Sequence, residues 1–237
     1  MKPVTIDFKQ FKVLSFDCYG TLIDWEKGIV DALSPWLLKH DKDLESHDIL
    51  KLYGRLERSA EDQTPFINYR SVLRQVMRGF SEEFNVDLKY EDIDTLCSSL
   101  KSWPVFPDTI SALQQLGSLY QLSIISNIDS DLFMDTAATL QSKFTWVISA
   151  DMVGSYKPSR QHFEKLFEMT GLPLERHLHI AQSLYHDIQV ANDLEMSCVW
   201  VNRSGATSTP IIDTHPDLEV PDLKTLAELM VGQRGSQ

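Results

Sequence analysis

The stretch Val13-Leu14-Ser15-Phe16-Asp17-Cys18-Tyr19-Gly20-Thr21-Leu22 decides how the rest of the chain is interpreted. A short apolar run ends abruptly at an acid and is followed by a Gly-Thr turn, a pattern typical of a buried strand. Open α/β sheets bind their ligands beyond the carboxyl ends of their strands. Asp17 is therefore placed to act as a nucleophile. The alternative is that Asp17 caps the next helix, since strand-to-helix turns commonly end in Asp.

Composition limits the classes of protein to which the chain can belong. Its 237 residues suit one domain or one domain with an insertion. No apolar run approaches the roughly 20 residues that a membrane span requires. The net charge of −12 argues against nucleic acid as a partner, and an anionic substrate would need positive charge placed locally. We therefore expect a small-molecule substrate and no membrane partner.

The cysteines and the N-terminus predict a reducing compartment. Cys18, Cys97 and Cys198 form neither a metal-binding spacing nor obvious pairs, so buried reduced thiols are expected. Cys18 adjoins Asp17 and is a weaker candidate nucleophile, because no histidine lies near it in the sequence. The first five residues lack the apolar region of a signal peptide, which favours the cytoplasm.

After Asp17, the pattern of the chain becomes purely helical up to about Trp103. Apolar residues recur at helical spacing, one face per helix, in the segments 26–40, 49–61, 69–84 and 91–101. Consecutive amphipathic helices without strands predict a small bundle inserted into another domain. Its apolar faces also allow a homodimer.

From Pro107 onward, strands and helices alternate. Strands are predicted at 122–127, 146–149, 179–182 and 198–201, and helices at 109–116, 130–140, 161–170, 188–194 and 222–230. This alternation predicts a parallel sheet with helices on both faces, and a frayed tail is expected at 232–237. The fold class is therefore α/β, with 25–103 as an all-helical insertion between 1–24 and 104–237.

Polar groups stand at or just beyond the ends of several predicted strands. After Asp17 come the pair Ser126-Asn127, then Lys157 in a loop before a proline, then Asp187. Each of these residues alone is a weak signal. In a parallel sheet, however, all of them face the same edge, and their joint order is much more specific.

With these motifs in this order, the chain resembles the haloacid dehalogenase superfamily of aspartate-nucleophile hydrolases, over nearly its whole length. The phosphatases of that superfamily carry a second Asp two residues after the nucleophile, where this chain has Tyr19. They also carry a Gly-Asp pair in the fourth motif, where this chain has Ala181-Gln182. The residues at both positions resemble those of the type II L-2-haloacid dehalogenases. The same is true of the segment Trp200-Val201-Asn202-Arg203.

The resemblance implies a Rossmann-like core formed by 1–24 and 104–237, with a helical cap formed by 25–103 over the active site. It also implies a mechanism without a metal or other cofactor. Asp17 would displace halide from the α-carbon of a 2-haloacid and form an ester, which water would hydrolyse. Lys157 would keep Asp17 ionised, and Asp187 would hold Lys157 or position the water. The residues implied to bind the substrate carboxylate or the halide are Tyr19, Ser126, Asn127 and Ser183.

Several alternatives stay open at this stage. His186 is either a general base or a structural histidine, and Tyr185 has a similar standing. The cap arginine of the dehalogenases falls on Leu52, so Arg55 or Arg58 would have to replace it. Trp25 and Phe66 either line the pocket or belong to the core. The competing functions are a magnesium-dependent phosphatase of the same superfamily and a catalytically diverged binding protein.

Overall fold

The computed structural model describes residues 6–203 and 212–235. Residues 1–5, which were inspected for a signal peptide, and residues 236–237 of the predicted frayed tail lie outside these ranges.

A six-stranded sheet forms the centre of the molecule, with the strand order β3-β2-β1-β4-β5-β6. Every neighbouring pair of strands is parallel. The strands are β1 Val13–Phe16, β2 Gln121–Ser126, β3 Trp146–Ser149, β4 His177–Ala181, β5 Cys198–Val201 and β6 Leu218–Val220. All residues of β1 and β4 are buried, as expected for central strands covered on both faces. The predicted α/β class is confirmed.

The helices fall into two groups along the chain. Between β1 and β2 lie α1 Trp25–Lys39, α2 Ser46–Glu61, α3 Tyr69–Phe84, α4 Thr95–Ser99 and α5 Thr109–Gly117. The later helices are α6 Ser130–Leu140, α7 Ala150–Val153, α8 Gln161–Thr170, α9 Gln189–Asp193 and α10 Leu223–Gly235. The structure describes every residue from 25 to 103, and these contain helices and turns but no strand. We keep the division into a core (1–24 and 104–237) and a cap (25–103) as a proposal.

Some elements differ from the sequence-based prediction. The helix predicted at 91–101 is broken into a 3₁₀ turn at Tyr90–Asp92, the short helix α4 and a second 3₁₀ turn at Leu100–Ser102. The Thr95 hydroxyl donates to the Asp92 carbonyl, an alternative to regular helical pairing. Helix α10 continues to Gly235, so the frayed tail predicted from residue 232 was wrong for 232–235.

Helix α3 is attached to the sheet edge by Asp129, which follows β2. The Asp129 carboxylate accepts hydrogen bonds from the backbone N–H groups of Tyr69, at 2.8 Å, and Arg70, at 2.9 Å. Such N–H groups in the first turn of a helix lack partners within the helix. On the same side, the Tyr156 hydroxyl donates to the carbonyl of Ile67 at 2.8 Å. Two loops at the carboxyl edge of the sheet thus hold the beginning of α3 in place.

Helix α1 packs closely on Trp103, where the cap returns to the core. A Cβ built on Gly28 would lie 2.3 Å from the nearest carbon of the Trp103 indole. We expect Gly28→Ala to lower the free energy of unfolding by about 1–3 kcal/mol, because overpacking outweighs the better helix propensity of Ala. Urea denaturation measures this change. The control is Gly54→Ala in α2, whose Cβ would meet nothing within 4 Å. Equal loss in both variants would contradict the prediction.

Candidate active site

Asp17, Lys157 and Asp187 form a buried ionic cluster at the carboxyl edge of the sheet. Lys157 Nζ lies 2.9 Å from Asp17 Oδ1 and 2.7 Å from Asp187 Oδ1, and it also donates to the Ile125 carbonyl at 3.1 Å. All three charged side chains are almost completely buried. The structure therefore brings together the three residues that the sequence singled out as catalytic.

The Asp17 carboxylate is held at both oxygens. Thr21 Oγ1 donates to Asp17 Oδ2 at 2.8 Å and accepts in turn from the backbone N–H of Gln182 at 2.9 Å. Gly20, with a φ of +99°, provides the left-handed turn between Asp17 and Thr21. Asp17 does not cap the next helix, because the side chain that caps α1 is that of Asp24. The helix-cap alternative is therefore excluded.

Arg203 fixes the loop that follows Asp17. Its guanidinium donates to the Thr21 carbonyl through Nε at 3.0 Å and Nη2 at 2.7 Å, and it forms an ion pair with Asp108 at 3.0 Å. The guanidinium also lies 3.8 Å from the centroid of the Phe106 ring. This arginine, noted in the sequence beside β5, thus supports the site without facing the ligand cavity.

Asp187 is oriented by a relay that runs through the sheet. His179 Nε2 lies 3.0 Å from Asp187 Oδ1, and His179 Nδ1 lies 2.9 Å from Ser15 Oγ. An ionised carboxylate only accepts, so Nε2 donates to Asp187. In the neutral imidazole, Nδ1 then accepts from the Ser15 hydroxyl. Asp187 Oδ2 is buried and has no partner in the described part of the chain, and Asp187 lines the cavity above the cluster.

The charges of the cluster shift one another's pKa values. Burial raises the pKa of Asp17, and the nearby Lys157 only partly opposes this effect. Burial also disfavours ionisation of Asp187, but Lys157 and the hydrogen bond from His179 outweigh it and lower the pKa of Asp187 to about 2. Burial disfavours the charged form of Lys157, yet its two carboxylate partners raise the pKa above its ordinary value. At neutral pH, Asp187 is therefore ionised and Lys157 protonated.

Ser126 is the last residue of β2, and Asn127 follows it at the edge of the cavity. The Asn127 amide pairs with the backbone of Lys157, since Oδ1 accepts from its N–H at 2.6 Å and Nδ2 donates to its carbonyl at 3.2 Å. The amide thus fixes the loop that carries the lysine. Ser126 is buried at the end of β2 and lines the cavity together with Asn127.

Tyr19, Ser183 and His186 each have a hydrogen-bond partner of their own. The Tyr19 hydroxyl lies 2.7 Å from Thr136 Oγ1, and burial raises the pKa of Tyr19 well above its usual value. The Ser183 hydroxyl oxygen accepts from the backbone N–H of His186 at 3.1 Å, at the start of a π-turn, Leu184–Ile188. Burial lowers the pKa of His186 to about 4, so its ring is neutral at pH 7.

A cavity of about 940 Å³ lies above the ionic cluster and beneath the cap. Trp25 and Phe66, for which the sequence left two interpretations open, both line it. Arg55 reaches the rim but forms an exposed ion pair with Glu83 at 2.7 Å. Arg58 also lies at the rim, with its guanidinium 5.4 Å from the centroid of the Tyr185 ring. Among residues 6–203 and 212–235, no carboxylate forms an ion pair with Arg58.

A family model described as haloacid dehalogenase-like hydrolase matches residues 14–201, which include every element of the site. The chain belongs to this family of haloacid dehalogenase-like hydrolases. No curated protein sequence gives a significant match.

Solved structures show that this hydrolase shares its fold with dehalogenases at low sequence identity. An L-2-haloacid dehalogenase gives a TM-score of 0.82 at 21% identity, over 94% of this chain and 99% of that chain. The L-2-haloacid dehalogenase from Xanthobacter autotrophicus, in a structure with chloropropionic acid covalently bound, gives 0.79 at 17%, over 94% and 99%. A HAD-hydrolase from Bacillus subtilis bound to magnesium gives 0.75 at 18%, over 93% and 98%.

The side-chain atoms around Asp17 in this hydrolase do not match the ligands of a magnesium site. Lys157 occupies one oxygen of Asp17 and one of Asp187, and Gln182 stands where the phosphatases carry an aspartate. Nowhere in the described ranges do three or more Asp, Glu, His or Cys side chains come together as a metal-binding group. Nor do these ranges contain a helix long and apolar enough to cross a membrane.

Sequence reasoning missed several residues of the site. His179 is a polar residue within a buried strand, which is a signal that a partner must lie nearby. Glu57 and Glu61 line the cavity from α2. They follow Tyr53 at intervals of four residues, and that spacing is visible in the sequence.

Proposed function

We propose that this hydrolase displaces halide from 2-haloalkanoic acids through an ester formed on Asp17. One observation carries the proposal most directly. The Asp17 carboxylate lies at the base of a large cavity and is oriented by Lys157 and Thr21. Two residues later, where the phosphatases of the superfamily carry a second acid, this chain has Tyr19. A halide leaves as a stable anion, whereas an alkoxide leaving group would require a proton donor. Tyr19 is a poor donor because its pKa is raised and its hydroxyl is bound to Thr136.

The reaction has two steps in this proposal. An Asp17 oxygen attacks the α-carbon in line, a C–O bond forms, and the C–X bond breaks with the electron pair leaving on the halide. Water then attacks Cγ of Asp17, and the bond between Cγ and the ester oxygen breaks. One proton of the water passes to the departing oxygen, which becomes the hydroxyl of the product, and the other is released to solvent. The products are a 2-hydroxy acid and the regenerated carboxylate. Asp187 Oδ2, buried and without a partner in the described residues, accepts a hydrogen bond from that water.

The substrate carboxylate needs local positive charge in a protein with a net charge of −12. Arg58 is suited to this role, because it lines the cavity and its guanidinium lies over the Tyr185 ring without an ion pair to any carboxylate in the part of the chain described. Arginine binds carboxylates with two parallel hydrogen bonds. Ser126, at the end of β2, lines the same cavity and supplies a neutral donor.

Halide release from both enantiomers of 2-chloropropionate, measured with and without EDTA, tests the function. We expect chloride release that EDTA does not reduce. In single turnover in ¹⁸O-water, the label should enter Asp17 before it enters the product. If chloride is not released while magnesium and 4-nitrophenyl phosphate give turnover that Asp17→Asn abolishes, the phosphatase alternative replaces this proposal.

A further inference from the structure

Two acids of α2 face the cavity at positions where they do not help the helix. Glu57 and Glu61 both line the cavity and are four residues apart, so their carboxylates lie on the same face of α2. Like charges at this spacing destabilise a helix by a few tenths of a kcal/mol. Within 6–203 and 212–235, neither acid forms an ion pair with a basic side chain. Their placement therefore needs an explanation other than helix stability.

The first of these acids is held rigidly. Glu57 Oε1 accepts hydrogen bonds from the hydroxyls of Tyr53, at 2.9 Å, and Tyr69, at 2.6 Å. Both tyrosines are buried, so the carboxylate is fixed by the packing of α2 on α3. Glu61, one turn further on, has no hydrogen-bond partner among the described residues. Burial raises the pKa of both carboxyl groups, and Glu57 and Asp62 raise that of Glu61 further.

The interior of the cavity holds more carboxyl groups than cations. At its base, Lys157 is shared by Asp17 and Asp187, and Glu57 and Glu61 add two further carboxyl groups that form no ion pair in the described residues. The Oδ2 atom of Asp187, in a side chain that is 1% exposed, is a further acceptor without a partner in the described chain. The basic residues of the cavity wall other than Lys157 are exposed at its rim. A ligand that fills the interior is thus favoured if it carries positive charge.

Aromatic rings complete this part of the wall. Phe66 and Tyr156 have ring centroids 5.1 Å apart, and Tyr69 and Tyr156 have centroids 6.3 Å apart. All three line the cavity beside α2. Aromatic faces next to carboxylates are a recurring environment for bound ammonium groups.

We propose that the Glu57–Glu61 face of α2 is a subsite for a protonated amino group, so the substrate is a 2-haloacid with an amine at its far end. The inference rests on the proposed function for the halogen and the carboxylate, which bind near Asp17 and Arg58. The ammonium group donates hydrogen bonds to Glu61 and to the free oxygen of Glu57. A cavity of about 940 Å³ has room for such a chain, and it is far larger than a three-carbon acid requires.

Binding of an unreactive pair of ligands tests the subsite without any chemistry. The full-length Asp17→Asn variant is titrated with 6-aminohexanoate and with heptanoate, which differ only by an ammonium in place of a methyl group. We expect 6-aminohexanoate to bind at least about tenfold more tightly, the size of one charge-assisted hydrogen bond. Adding Glu61→Gln should reduce this preference by about tenfold. Adding Glu82→Gln, an exposed acid of α3 outside the cavity, should preserve it.

The same comparison with reactive ligands links the subsite to turnover. Wild-type protein should release chloride from 6-amino-2-chlorohexanoate with a higher kcat/KM than from 2-chloroheptanoate. If neither compound releases chloride but 6-aminohexanoate still binds preferentially, the subsite stands and the proposed function falls. If heptanoate binds as tightly as 6-aminohexanoate to the Asp17→Asn protein, the inference is overturned whatever the activity, and that result does not depend on the folding of a Glu61 variant.

Discussion

Replacing Asp17 by asparagine is expected to lower kcat by about 10³-fold or more, because the amide is a poor nucleophile for carbon. The geometry of the site should survive the change. The amide oxygen of the new side chain can still accept from Thr21 or from Lys157, and Lys157 keeps its contact with Asp187 at 2.7 Å. Chloride release from 2-chloropropionate measures the loss. Mass spectrometry of the peptide that contains residue 17 should detect the ester in the wild type alone.

Stability separates loss of the nucleophile from loss of the fold. Burial raises the pKa of Asp17 in the folded state, so its ionisation at neutral pH opposes folding, and this cost grows as the pH rises from the ordinary value of 3.8 to the raised one. A neutral amide removes the cost. We expect Asp17→Asn to unfold at the same or a higher urea concentration than the wild type at pH 7. An intact variant that keeps more than a tenth of the activity, with deamidation excluded by its mass, would show that Asp17 is not the nucleophile.

Replacing Lys157 by methionine should have the largest effect on stability. The change leaves Asp17 and Asp187 buried beside each other without their shared cation, and breaking a buried pair in this way costs about 3–5 kcal/mol. Activity should be lost as well, because the pKa of Asp17 rises further. The matched control is Lys165→Met, which removes an exposed pair with Glu168 and should cost about 1 kcal/mol or less.

The pH dependence of the Lys157→Met effect identifies its cause. In the wild type the pKa of Asp187 is lowered from 3.8 to about 2, so its ionisation stabilises the fold above about pH 4 and this gain is lost between pH 4 and pH 2. Without Lys157 much of the gain disappears. The difference in urea stability between wild type and variant should therefore be larger at pH 7 than at about pH 2. A difference that is equal at both pH values would point to lost packing of the lysine side chain instead.

The sequence was sufficient to predict the ionic cluster at the sheet edge because the sheet is parallel. Residues that follow different strands of such a sheet meet at one edge, so Asp17, Lys157 and Asp187 could be placed together from strand order alone. The role of Asn127 was not predictable in this way. Its amide is used by the backbone of Lys157, a contact that depends on the path of one loop.

The cap side of the site could not be predicted, because it depends on how the helices dock on the sheet. Periodicity shows that Tyr53, Glu57 and Glu61 share a face of α2, but that face could have met solvent. Whether it meets the cavity is decided by tertiary contacts such as that of Asp129 with the first turn of α3. The relay from Ser15 through His179 likewise joins neighbouring strands far apart in the sequence.

The loop after β2 has a mechanical consequence. This loop carries two residues that each form two hydrogen bonds to another part of the structure. The Asn127 amide binds the backbone of Lys157, and the carboxylate of Asp129, two residues later, binds the amino end of α3. A hinge motion of α3 that keeps its hydrogen bonds to Asp129 must therefore pull on the peptide that carries the ammonium group. Opening of the cavity entrance and movement of Lys157 away from Asp17 would then be one coupled event.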